Sequence, residues 1–290
     1  MKRTYNSVKE AVNKIFKAHF HATVRQALLC FLLLIFVNHA QAVDRYWVGK
    51  GTATPSWSLS ANWSATSGGA GGASAPGSSD NAYFDNNSFT ADGQSVILTA
   101  SANCKNMTWT ATDWQPVFDM STWTISISGS LEFQEQMTLL GAPTGIINFT
   151  SATGAVETVI TNNLEIPKAV SFASSSGKWH VQDALNIADN TLTLSSGNLE
   201  LNGTVHCGAF SYSSGSLNLD GAHLTCQTFS STGNLIKSLS IANATIDAES
   251  WFYYGIQSAA LTAELTAGSL IRVKKDFTGI PTDHYNVVEA

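Results

Sequence analysis

Carboxylates are the first residues to test for chemistry in this chain of 290 residues. Glycoside hydrolysis needs two carboxyl groups flanking one bond, and calcium-assisted elimination needs an acidic cluster beside an Arg or Lys base. Asp183, Asp189, Asp220 and Asp247 are instead scattered next to turns, where an aspartate accepts hydrogen bonds from nearby backbone. A turn role is therefore expected for each. Asp80, Asp85 and Asp92, with Asn81, Asn86 and Asn87 between them, form a second acidic group. Asp80 and Asp85 are the candidate metal ligands, and calcium is the metal that oxygen donors of this kind would take. Their spacing matches no defined calcium loop, so ordinary acidic turns are the competing reading.

The run Trp251-Phe252-Tyr253-Tyr254 is the candidate for recognition, because an exposed aromatic side chain can stack on the face of a sugar. In a strand, alternation sends Trp251 and Tyr253 to one side and Phe252 and Tyr254 to the other, so one pair belongs to a core. Trp251 and Tyr253 are the candidate carbohydrate-binding residues. No catalytic residue is assigned, and the paired-Asp and Gly-His-Gly signatures of pectin-active parallel β-helices are not present.

These residues sit in a chain whose first 42 residues differ from the rest. Lys2, Arg3, Lys9, Lys14, Lys17 and Arg25 precede an apolar run from Ala27 to Val37, followed by Ala40-Gln41-Ala42. This is the pattern of a signal peptide cleaved before Val43; the run is short for a membrane span, an uncleaved anchor being the alternative. Cys30 lies in the run, but Leu29 before it is wrong for lipoprotein processing. Secretion or a cell-surface location is expected. Beyond residue 42 there remain nine basic and twenty acidic residues, a net charge near −11. Nucleic acid is disfavoured as a partner, since phosphate binding needs clustered Lys and Arg, and Arg272, Lys274 and Lys275 read as the solvated face of a strand. Charged residues make up 12% of the whole chain, against about 25% in a typical soluble domain. Ser, Thr, Asn and Gly take their place. Three cysteines remain, Cys104, Cys207 and Cys226. The odd count is not a disulfide framework and favours buried free thiols. Cys207 and Cys226 open similar tracts, so a bridge between stacked strands stays open as the alternative. His206 and His223 do not form a zinc spacing with them.

The elements that must position these residues are strands. No apolar pattern at i, i+3, i+4, i+7 is sustained after residue 42. Alternating runs recur instead, for example at Ser95 to Thr99, Thr122 to Ser128 and Lys178 to Gln182. One spacing repeats: Leu192, Leu194, Leu199, Leu201; then Leu217, Leu219, Leu224, Cys226; then Leu239, Ile241, Ile246, Ala248. Offsets of 25 and 22 residues between these units are those of stacked coils. The expected fold is all-β, a right-handed parallel β-helix (β-solenoid), with a β-sandwich as the alternative. The expected organisation is a signal peptide at 1–42, a cap and first strands at 43–125, and β-solenoid repeats at 126–290. Trp47, Trp57 and Trp63 are expected to form an N-terminal aromatic cap over the first coil's open edge.

Tyr46-Trp47-Val48-Gly49, Asn62-Trp63-Ser64, the glycine-rich loop Gly68 to Gly77, Asp80 to Phe89, Cys104 to Trp109 and Trp179 to Leu185 together resemble the N-terminal region of large exported repeat proteins common in Bacteroidetes. The likeness covers the chain from residue 43 onward. It implies a secreted, adhesin-like or surface-structural β-solenoid, and it brings no activity or site residues with it. Proteins of this group are usually far longer, and this chain stops at Val287-Val288-Glu289-Ala290 within the repeat pattern, so a truncated product and self-association through an open C-terminal coil are expectations.

From these readings the expected role is a non-enzymatic extracellular structural or adhesin-like protein, with a glycan or cell-surface molecule as partner. A carbohydrate-binding module and a polysaccharide-degrading β-helix enzyme are the alternatives.

Overall fold

The computed structural model describes residues 25–26, 42–231, 237–253, 266–279 and 285–289. The chain divides into two units, Met1–Gln41 and Ala42–Ala290. In the first, Arg25 and Gln26 are helical and exposed. Residues 1–24 and 27–41 of the expected signal peptide, together with Tyr254 and Ala290, lie outside the described residues.

The second unit is a parallel β-helix of about eight turns. Its chain passes repeatedly through three ladders of strands. The first face stacks Asp44–Trp47, Asn81–Phe84, Met107–Trp109, Leu131–Glu132, Val156–Ile160, residues 178–181 and 198–201, Gly215–Asn218 and Lys237–Ser240. The second stacks Ala102–Cys104, Ile125–Ile127, Ile146–Phe149 and then residues 169–172, 191–194, 209–212, 228–231, 250–253 and 276–278. The third begins as a separate sheet of Ser95–Ile97, Val117–Asp119 and Thr138–Leu140. It resumes with Leu185–Asn186, residues 204–207, 223–226, 245–248 and 270–273, and Val287–Glu289.

Every described strand pairing is parallel except one, which excludes the β-sandwich and its hairpins. The exception is antiparallel, Tyr46 opposite Ser64 and Trp47 opposite Trp63. It lies at the N-terminal end of the first ladder, where Trp63–Ser64 occupies an edge that would otherwise be open to other strands. Trp47, Trp57 and Trp63 meet edge to face at 4.9 and 5.3 Å between ring centroids, and all three are buried. Trp63 Nε1 donates to the Trp57 carbonyl at 2.6 Å, and Asn62 Nδ2 to the carbonyls of Thr54 and Ser56. The expected aromatic cap is thus present. Coils begin with it: strands on either side of residue 125 share the same ladders, so the cap region is itself part of the solenoid.

The repeat spacing also describes a different set of neighbours from the one the sequence implied. Leu217 pairs with Leu199, not Leu192, and Leu192 pairs with Val170 and Phe210. The equivalent units are Leu199, Leu201, Val205, Cys207; Leu217, Leu219, Leu224, Cys226; and Leu239, Ile241, Ile246, Ala248. A shortened corner at Asn202-Gly203 hides the first unit, because Val205 follows Leu201 one residue earlier than the spacing demands. Leu192, Leu194, Leu199 and Leu201 match the spacing only because one strand, Thr191–Leu201, runs on through a corner and serves both the second and first faces. Ala169–Val181 does the same, with register shifts at the bend.

Alternation decides what the coils bury. Inward positions carry Leu, Ile, Val and aromatic residues, stacked on their own kind in the next coil. Leu199, Leu217 and Leu239 form one column, Val205, Leu224, Ile246 and Ile271 another. Each buried Leu or Ile contributes roughly 1.5–3 kcal/mol by leaving water, and it can do so only when a neighbouring coil covers it.

Candidate functional site

Register determines the fate of the aromatic run. Trp251 stands directly over Phe229 and stacks on it at 4.2 Å with 11° between ring planes, and Phe210 continues the column beneath. Phe277 pairs above Trp251 in the next coil. Trp251 and Tyr253 are both completely buried. Neither has a face to offer a sugar, so the carbohydrate-binding role expected for Trp251 and Tyr253 is corrected to a core role. The physical reason is the inward register of that strand: these two side chains fill the solenoid interior, and Phe252 points outward.

Asp80 and Asp85 organise turns. Asp80 Oδ2 accepts from the Gly77 amide at 2.9 Å, and Asp85 Oδ1 from the Asn87 amide at 3.0 Å and the Ser88 hydroxyl at 3.2 Å. Among the described residues no group of three or more His, Cys, Asp or Glu side chains is placed to hold a metal ion.

The scattered aspartates do more than close local turns: several tie one coil to the next. Asp183 accepts from the Thr161 amide and hydroxyl, each at 3.0 Å, and from the Asn162 amide, in the preceding coil. Asp220 accepts from the Ser240 hydroxyl and the Ala242 amide, at 2.6 and 2.7 Å. Asp92 takes the Gln115 amide at 2.8 Å. Corners leave backbone N–H groups that no ladder satisfies, and a side-chain oxygen one coil away supplies the acceptor.

Cys104, Cys207 and Cys226 are free and buried. Cys207 and Cys226 are register partners on adjacent coils. A hydrogen bond between the two side chains, with burial added, pushes the Cys207 thiol far above its ordinary range, and burial alone does the same for Cys104. Cys104 and Cys207 are therefore thiols, unsuited to nucleophilic or metal-binding work.

Surface clefts among the described residues are the next candidates. On the third face a cleft of about 560 Å³ is lined by Thr225, Asp247, Glu249, Arg272, Lys274 and Glu289, among others. Two of its carboxylates are paired across coils: Asp247 with Arg272 Nε at 2.6 Å and with His223 Nε2 at 2.8 Å, and Glu249 with Lys275 at 2.7 Å. Burial opposes ionisation of Asp247, yet the bonds from His223 and Arg272 prevail and hold its carboxyl below the usual range. Arg272 and Lys275, two of the basic residues noted in the sequence, thus lie on a solvated strand face and are each matched to an acid one coil away. A second cleft, of about 410 Å³, lies beside Trp109, Gln134 and Asn162.

The third cleft, also about 410 Å³, opens on the outer side of the first face and is lined by Tyr83, Lys105, Thr108, Glu132, Glu157 and neighbours. Tyr83 stacks on Tyr46 from the adjacent coil, centroids 5.1 Å apart and planes 20° from parallel, and both rings are half-buried. A polar ladder runs beneath. Asn81 donates to Asp44 at 2.8 Å, Asn106 to Asn81 at 2.9 Å, and Asn106 Oδ1 accepts the Ser130 amide at 2.8 Å. Ser130 Oγ donates to Glu157 at 3.0 Å, while Ser151 and Thr153 bond the other oxygen of that carboxylate. Burial first, then the Asp44 charge, raises the pKa of both phenols. Sequence reasoning missed this group. Its one signal was outward Tyr alternating with inward Trp or Phe in Tyr46-Trp47 and Tyr83-Phe84, and the 37 residues separating the two tyrosines concealed their adjacency.

No protein-family model, curated protein or solved structure matches this chain.

Proposed function

We propose that this chain is a non-enzymatic extracellular protein, structural or adhesin-like, exported through its N-terminal 42 residues and acting as a β-solenoid scaffold. The observation that carries the reading is the employment of its carboxylates. Asp183 and Asp220 hold corner amides of neighbouring coils, and Asp247 and Glu249 are matched to cations one coil away. Catalytic carboxylates must instead face a substrate in a pair about 5 to 10 Å apart. The outer faces, rich in Ser, Thr and Asn, suit a solenoid displayed to water, where uncharged polar residues hydrate the surface without a strong field.

The test is incubation of the full chain with a panel of neutral and acidic polysaccharides, following new reducing ends and unsaturated uronates. No turnover is expected. Turnover of any of these polysaccharides by the purified chain would sink the reading. Fractionation of the producing cells tests the location: recovery in the medium or in a protease-accessible surface fraction is expected, and retention in the cytoplasm counts against export.

A further inference from the structure

We propose that the cleft beside Tyr83 on the first face is a binding site for a neutral polysaccharide, with the Tyr83 ring as the stacking surface. A sugar ring presents an apolar face of C–H groups and an equatorial rim of hydroxyls. Recognition therefore calls for a flat aromatic surface beside fixed donors and acceptors. Both are in place. Tyr46, on the adjacent coil, stacks on one side of the Tyr83 ring and fixes its orientation, and Tyr83 itself lines the cleft. Glu132, Glu157 and Thr108 line the same cleft as acceptors, and Lys105 as a donor.

Preorganisation supports the assignment. Ser130, Ser151 and Thr153 hold Glu157 in position before any ligand arrives, so little side-chain entropy is lost on binding. The Tyr83 phenol remains protonated at neutral pH and offers an O–H to a sugar oxygen. The charge balance selects the ligand class. Two glutamates face one lysine in the cleft, and Asp44 lies behind it, so a uronate or sulfated chain would meet net repulsion. Neutral chains carry no such penalty.

This goes beyond the scaffold reading, since a displayed solenoid need not bind anything. The two tests fail independently: polysaccharide turnover would overturn the scaffold reading alone, and absence of binding would overturn this one alone. Affinity electrophoresis of the full chain is run through gels containing hydroxyethylcellulose, galactomannan, xyloglucan or polygalacturonate. Retardation by at least one of the neutral polymers is expected, persisting in high salt. Tyr83→Ala should weaken it about tenfold, the worth of one aromatic stacking contact, and Tyr83→Phe should retain most of it. Thermal melting of each variant checks the fold. Should Tyr83→Ala not fold, Glu132→Ala, on the rim of the same cleft, takes its place and should also weaken retardation. Unretarded migration in every neutral gel, retardation by polygalacturonate alone, or undiminished retardation of a folded cleft variant would each overturn the proposal.

Discussion

Asp247 shows how a single half-buried side chain ties coils together. It joins His223 on the preceding coil to Arg272 on the following one, and these partners depress its pKa despite the opposing effect of burial. A carboxyl with a depressed folded pKa stabilises the native state above its unfolded value, about 3.9. That contribution is lost as pH falls through the depressed folded value. Asp247→Asn should therefore flatten the acid limb of the stability profile, measured as melting temperature from about pH 6 down to about pH 2. An unchanged acid limb would show that the group contributes nothing. Trp251 tests the core in the same way. Its ring is enclosed by Phe229 below and Phe277 above, so Trp251→Ala should cost about 3–5 kcal/mol in urea unfolding. Retardation in neutral polysaccharide gels should be unaffected wherever the variant still folds, because the ring has no exposed face.

At the scale of the element, corners are the demanding parts. Gly197 and Gly215 stack at the corner between the second and first faces with φ of +93° and +97°. A Cβ at Gly215 would lie 2.0 Å from the Gly197 carbonyl oxygen, and one at Gly197 would lie 2.4 Å from that of Ser174. Backbone is packed on backbone there, and left-handed φ adds its own penalty for any L side chain. Gly215→Ala should destabilise by more than about 1 kcal/mol. Gly221→Ala is a useful contrast, since that residue also has positive φ but nothing within 4 Å of a Cβ. Chemical denaturation of both separates steric conflict from backbone strain, and equal losses would assign the whole cost to φ.

Across the whole solenoid, each coil touches only its neighbours, so stability is a sum of coil and interface contributions and unfolding can be graded along the axis. Ile271 belongs to the last coil described with more than one face, stacked on Ile246. Ile271→Ala should speed amide exchange in residues 245–278 and leave residues 107–149 unaltered, as read by hydrogen-exchange mass spectrometry. A uniform increase along the chain would mean that the solenoid opens as one cooperative body.

The parallel solenoid was legible because a half-buried strand announces itself by alternation, and a stacked coil by the return of the same apolar pair after about 20 residues. The aromatic cap was legible for a related reason, as three Trp in a short irregular stretch need a surface to cover. Register was not legible. The shortened corner at Asn202-Gly203 displaced the pattern by one residue, and the unbroken strand Thr191–Leu201 imitated a coil repeat within itself. The candidate site suffered most from this. Whether Trp251 faces the core or the solvent depends on the single-residue phase of its strand, and the pairing of Tyr46 with Tyr83 depends on a loop of irregular length between them. Composition and periodicity, which are local properties of the chain, determined by themselves that strands would form and stack in parallel coils. Which side chains meet across coils was decided only by the tertiary structure, because inter-coil register depends on the exact length of every corner and no local pattern carries that count.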